Sequence, residues 1–541
     1  MYASVAAFAQ KVMMKKSILF LTIFLLGSFS TAVMSYISMA TPIGPWIAPT
    51  LVLIGLTLFN GLRQKEYDEQ LALVTAAGSV GGIVATALGF SLPTLYFLDP
   101  ALFNSWLDRP FYFCTLIAAL VLAAGSFGIW IANFFEYQLI VVERRSFPIG
   151  QLVHKMIAAH NQARKALDLM VGFFGTILFS FAQDGLYLFR SFIPKSITLI
   201  NTVTIGMWRV PSIQFALWPL LWAIGFTTGH VIAIPLLVGA VSKIVLVDPL
   251  NQIFFQNLSN MDFVLAFCSG MILASTLFGL VKMPLLFFNT LKKVNVGSIS
   301  HYAVTRYHLM QAAMLLLFLT IFLQYFHFPL LAQWYIIVFT FICTYQIIMI
   351  AGDIGLAPLG RFATFVMVPA MFIFNLDYVQ LVLIATFVEI AGGVAADILF
   401  GKKLAYLSSI ESKKMGYYQY IGLIVSALVV GIVFWLLIYH FKLGSESLFA
   451  YKAQSRQLLI NAQYFDYKVL LLGFIFGYAL RLGAINPMLV LGGLLMPINI
   501  SLGLVFGGLI TYFTDSKEEW FPFWSGVFAA NSIWMLAQTL L

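Results

Sequence analysis

The chain has 541 residues, 61% of them hydrophobic and only 9% charged, with a net charge of +9. A soluble domain carries roughly 45–50% apolar and about 25% charged residues, so this composition specifies a polytopic membrane protein and excludes a soluble domain of useful size. The basic residues stand between apolar runs rather than in one tract, which marks them as orientation signals and argues against a nucleic-acid partner.

Lys11, Lys15 and Lys16 precede the apolar run Ser17–Ile37, which is too long for the core of a cleaved signal and reads as the first span. A span needs about 20 mostly apolar residues. On that basis spans fall near 17–37, 44–62, 71–97, 111–134, 170–190, 214–229, 230–247 and 262–289. The second half repeats the count near 310–328, 331–350, 362–376, 378–399, 417–440, 467–483, 485–513 and 523–540. This predicts an all-α protein of about sixteen spans in two eight-span halves, 1–295 and 296–541. Alternating the spans from a cytoplasmic N-terminus puts most of the Lys and Arg inside, among them Arg144, Arg145, Lys402, Lys403, Lys413 and Lys414. The bias predicts that both termini are cytoplasmic, and it requires two spans between Gln214 and Val247.

One stretch, Trp222–Pro249, is apolar yet interrupted by Gly225, Gly229, Pro235 and Gly239, with Thr227, Thr228, His230, Ser242 and Lys243 among them. Broken backbone is tolerated in hydrocarbon only where protein covers it or it lines a cavity. A shift of 268 positions lays the stretch on Leu489–Ile510, with Gly225 on Gly493 and Gly239 on Gly507. Matched, interrupted segments in two halves point to the substrate site of a transporter. In the sixteen-span count both run from inside to outside, which predicts a parallel duplication. A weaker echo joins Ala77–Gly81 with Ala351–Gly355.

The substrate-binding candidates are therefore Gly225, Gly229, His230, Gly239 and Lys243, with Pro497 and Asn499 in the partner stretch and Asp353 at a Gly/Pro-broken junction. Free N–H groups of half-helices would suit a carboxylate. Glu389, Asp353, Asp397 and His230 are the candidates for proton coupling, because ionisable groups are costly in lipid and usually functional there. Bland alternatives stand beside several of these: an ion pair or a backbone cap for Glu389, a helix cap for Asp353 or Asp184, packing for His230, and snorkelling or a pair with Asp248 for Lys243. Cys114, Cys268 and Cys343 lie apart in apolar runs and read as small buried hydrophobes, with no metal spacing. No nucleotide-binding P-loop and no H-E-x-x-H is present, so no cofactor is expected and an ion gradient is the natural energy source. Two rival classes remain. A multispan enzyme acting on lipid or glycan would need an acid/base constellation in an interfacial loop, and a passive channel would need a symmetric filter.

Five motifs resemble the oligopeptide transporter (OPT) superfamily, which includes the yellow-stripe-like metal-chelate transporters. Glu69–Phe97 is similar to the family's early segment through Phe90, Pro93 and Leu95. Arg144–Ala159 resembles its F-P-x-G signature at Phe147, Pro148 and Gly150. The broken stretch fits at Leu236, Leu237, Gly239, Ala240 and Pro249, with Ser242 displaced by one. Gly401–Met415 matches through Lys403, Tyr406, Leu407 and Lys414, but the family's Asp falls on Gly401, with Asp397 one helical turn earlier. Asn486–Ile510 resembles the terminal signature through Met496, Pro497, Gly507 and Gly508. The departures suggest a divergent bacterial member in the inner membrane. The resemblance implies a secondary importer, proton-coupled, for small peptides or amino-acid-derived metal chelates such as iron complexes. Its partners would be substrate, protons and membrane lipids, with a homo-oligomer compatible.

Overall fold

The computed structural model describes residues 2–540 except 42–43, 45, 62–66, 159–162, 186–190, 206–207, 211, 294–305, 356, 446, 463–464 and 515–516. A first set of helices runs α1 (Tyr2–Ala40), α2 (Ala48–Gly61), α3 (Asp68–Ser91), α4 (Pro110–Glu136), α5 (Pro148–Ala158), α6 (Ala163–Asp184), α7 (Pro219–Thr228), α8 (His230–Ser242) and α9 (Asn260–Lys293). A linking helix, α10 (Arg306–Tyr325), leads to the second set. That set runs α11 (Leu330–Ile354), α12 (Leu359–Phe374), α13 (Tyr378–Leu407), α14 (Ser412–His440), α15 (Tyr451–Ile460), α16 (Tyr467–Leu482), α17 (Pro487–Leu495), α18 (Ile498–Ile510) and α19 (Lys517–Leu540). Among the described residues, eight helical segments are long and apolar enough to cross a membrane. The all-α, polytopic expectation stands.

A small β-ribbon precedes α7: β1 (Ser196–Ile200) pairs antiparallel with β4 (Ile213–Ala216), and β2 (Val203–Ile205) with β3 (Trp208–Val210). The span expected from residue 214 therefore starts later. Pro219 opens α7 at the first-turn position, where its missing N–H leaves nothing unpaired.

The two sets are related contact by contact. Gly128 of α4 lies against the backbone of Ala391, and Gly422 of α14 against that of Ala77. Gly172 of α6 meets the Phe523 carbonyl, and Gly473 of α16 that of Phe267. Gly225 meets Leu504, Gly507 and Gly508, while Gly493, 268 positions on, meets Leu236, Gly239 and Ala240, each 268 positions back. Two loops repeat as well: the Phe147 N–H donates to the Gly352 carbonyl at 2.8 Å and the Ala450 N–H to that of Met39 at 2.6 Å. Thus α1–α9 correspond in order to α11–α19, and α10 stands between them.

Corresponding helices run in opposite directions. Ser79, Ile83 and Ser91 of α3 face Asp397, Gly393 and Glu389 of α13. Leu107 and Cys114 meet Trp435 and Gly431, whereas Glu136 at the end of α4 meets Ser412 at the start of α14. The repeat is therefore inverted, with its pseudo-twofold axis perpendicular to the helices. This corrects the parallel duplication. The counterpart of Ala77–Gly81 is Ala391–Ala395 in α13, not Ala351–Gly355, since Gly128 and Gly422 pick out Ala391 and Ala77. The boundary at 295/296 lies outside the described residues.

The difference traces to one segment. Leu221 of α7 packs on Gly503 and Gly229 on Gly508, so α7 and α18 run the same way. His230 and Ala233 meet Tyr512 and Gly508, so α8 runs against α18. The chain doubles back at Gly229, whose φ of 76° and ψ of −171° lie in a region only glycine occupies without strain. Its counterpart, 268 positions on, is Pro497, where α17 ends and α18 begins. The ten residues of α7 and the thirteen of α18 rise about 15 and 20 Å, short of a hydrocarbon core of about 30 Å. Residues 485–513 are thus two arms of a hairpin rather than one span. That extra reversal inverts the repeat and carries the end of α19 to the face opposite the start of α1, contrary to the expectation of both termini on one side.

Candidate functional site

The two helices at the centre, α3 and α13, are fully enclosed along their apolar windows. Asp377 starts α13 with a capping box, accepting from the Gln380 N–H at 2.7 Å while the Gln380 side chain accepts from the Asp377 N–H at 3.1 Å. From there α13 carries two carboxyls inward, Glu389 and Asp397, eight residues or about 12 Å apart along the helix.

Glu389 is 0% exposed. Its Oε1 accepts from Arg456 Nη2 at 2.6 Å, and its Oε2 accepts from the Ser91 hydroxyl. Arg456, on α15, also donates from Nη1 to Ser91 Oγ at 2.5 Å and to the Phe90 carbonyl at 3.2 Å. One turn before it, Lys452 lies over the rings of Phe90 and Tyr451 at 5.7 and 5.6 Å. A buried ion pair with these extra hydrogen bonds is the arrangement that offsets desolvation of both charges. Deeper along α13, Asp397 accepts from Ser79 Oγ at 2.8 Å. The symmetry mate of that contact is Ile83 against Gly393, so Asp397 places a carboxyl where the other repeat has a methyl group.

The hairpins form the second part. A Cβ on Gly225, Gly239, Gly493 or Gly507 would strike the carbonyl of Leu504, Val490, Leu236 or Trp222 respectively, so these four glycines let the hairpins touch backbone to backbone. Gly229 and Pro497 are the two tips. His230 begins α8, exposed, with its ring 6.2 Å from that of Tyr512. Asn499 Oδ1 accepts from the Ile500 N–H at 3.0 Å near the second tip. Lys243 is half-buried at the end of α8, within electrostatic reach of Asp248.

Asp353 belongs elsewhere. It receives Arg145 Nη1 on both oxygens at 2.6 Å, while Arg145 Nε donates to Glu143 at 2.6 Å. Burial pulls the Arg145 pKa down, but the two carboxylates outweigh it and hold the guanidinium above its ordinary value. Ser146 and the Phe147 N–H grip the Gly352 carbonyl alongside, so the F-P-x-G loop clamps the end of α11. Asp184 is paired with Lys195 at 2.9 Å and accepts from Trp534 Nε1 at 2.9 Å. In the Gly401–Met415 motif Lys402 pairs with Glu136 of α4 at 3.2 Å and Lys414 with Glu69 at 2.7 Å.

The residues missed from sequence are Arg456, Lys452, Ser91, Ser79 and Glu136. The sequence carried no signal for the first two, because Lys452 and Arg456 stand in the polar connection Lys442–Asp466, whereas the structure sets them one turn apart on a ten-residue, mostly buried helix. Among known protein families, the family described as OPT oligopeptide transporter protein matches residues 19–531 of the chain. Curated proteins gave no match.

Proposed function

The chain belongs to the OPT oligopeptide transporter family, and from that premise we propose that it is a proton-coupled secondary importer of small peptides, with Glu389 and Asp397 as its coupling carboxyls. The observation that carries the reading is the pair of fully buried carboxyls on α13 at its crossing with α3, where corresponding helices of the two repeats meet. Intramembrane carboxyls of this kind are the usual proton relays of transporters. The hairpins supply the substrate path, because irregular backbone at membrane depth belongs where protein or a cavity covers it.

The face that holds Arg144, Arg145, Lys402, Lys403, Lys413 and Lys414 is cytoplasmic by the positive-inside rule. The inverted topology adds Lys517, at the start of α19, to that same face. The N-terminus is then cytoplasmic and the C-terminus external.

Proteoliposomes holding the purified chain test this. Uptake of labelled trialanine should rise when the lumen is made alkaline, and Glu389→Gln should abolish uphill uptake while sparing exchange. No stimulation by the gradient would remove proton coupling. Full uphill uptake by the variant would remove Glu389 from the mechanism. Uptake of a ferric amino-acid chelate without trialanine uptake would move the substrate to the metal-chelate class.

A further inference from the structure

We propose that Lys452 and Arg456 form a receptor for a substrate carboxylate, and that Glu389 occupies it when substrate is absent. The proposal deepens the transporter reading and rests on it. Two cations stand on consecutive turns of α15, Lys452 over aromatic rings and Arg456 paired with Glu389, so among the described residues the enclosed site carries an excess positive charge. Arg456 is 6% exposed, and its Nε is buried without a hydrogen-bond partner among the described residues. The planar guanidinium is built for two-point recognition of a carboxylate, and here Glu389 takes Nη2 while Ser91 and the Phe90 carbonyl take Nη1. An incoming carboxylate displaces Glu389 from Nη2, and Lys452 supplies the second charge. The groups around Glu389 are Ser91 from α3, Arg456 and Lys452 from α15, and Gly360 of α12. The corresponding positions on α5, 303 residues earlier, are Ile149 and Val153, so the receptor exists on one side of the axis only.

The ligand pair is trialanine and trialanine amide, which differ in the terminal carboxylate. On the purified full-length protein, thermal stabilisation should report the acid binding about tenfold more tightly than the amide. Lys452→Gln should shrink that ratio and Lys452→Arg restore it. Glu389→Gln, which removes the resident carboxylate, should tighten the acid. Equal binding of both ligands by the wild type overturns the receptor, as does an unchanged ratio in Lys452→Gln or weaker acid binding in Glu389→Gln. Transport in proteoliposomes separates the two readings. Acid-selective binding without uptake overturns the transporter and keeps the receptor. Uptake of acid and amide alike overturns the receptor and keeps the transporter. Neither binding nor uptake of either ligand overturns both.

Discussion

At the scale of single residues, Glu389 is found in an ion pair with Arg456, one of the two readings the sequence left open. A lone carboxyl in the run Val379–Leu399 reads equally as a proton site or as half of an ion pair, and here it has a partner 67 positions away. Sequence reading had no means to bring α15 under α3, because a ten-residue helix in a polar connection looks like a loop. The pairing has a thermodynamic consequence. Arg456→Met leaves Glu389 charged and buried, which should cost about 3–5 kcal/mol. Adding Glu389→Gln removes the orphaned charge, so the double variant should recover most of that loss. Thermal unfolding of the four proteins in detergent, analysed as a double-mutant cycle, checks it. Additive losses would mean that the two side chains do not sense each other.

At the scale of elements, the hairpins are held by glycine rather than by large side chains. The 268-residue offset between Gly225 and Gly493 was legible in the sequence, because close backbone contact allows no substitute for a missing Cβ. The direction of the arms was not legible, since a Gly/Pro break at Gly229 or Pro497 is compatible with a kink or a reversal. Gly225→Ala and Gly493→Ala occupy equivalent contacts and should destabilise alike, by about 1–3 kcal/mol each. Gly229→Ala should cost a similar amount, about 1–3 kcal/mol, for a different reason: its backbone angles are strained for any residue with a Cβ. Gly175, which has open space around its would-be Cβ, is the control, and Gly175→Ala should stabilise α6 by about 0.5–1 kcal/mol. Melting temperatures of the four variants test this, and a loss at Gly225 unmatched at Gly493 would contradict the equivalence of the hairpins.

At the scale of the whole molecule, the inverted repeat supplies what alternating access requires, two halves whose contacts are interchangeable in kind but opposite in direction. The clamp of Arg145 on Asp353 lies in the loop from α4 to α5, whereas Lys452 and Arg456 lie on α15, just past the corresponding loop from α14, at the opposite face. Charge counting alone chose an inner face, but the packing turns the last helix the other way from that count. Sixteen spans and seventeen helical crossings and arms distribute Arg144 through Lys414 identically, and they differ only after residue 485, where the chain carries Lys517 and no other Lys or Arg. The bias was therefore blind to the reversal at Pro497. Topology reads it directly. Single cysteines introduced ahead of Lys11 and after α19, in a background lacking Cys114, Cys268 and Cys343, should react with a membrane-impermeant maleimide from opposite faces of oriented vesicles. Labelling of both from one face would return residues 485–513 to a single span, and with it the parallel duplication.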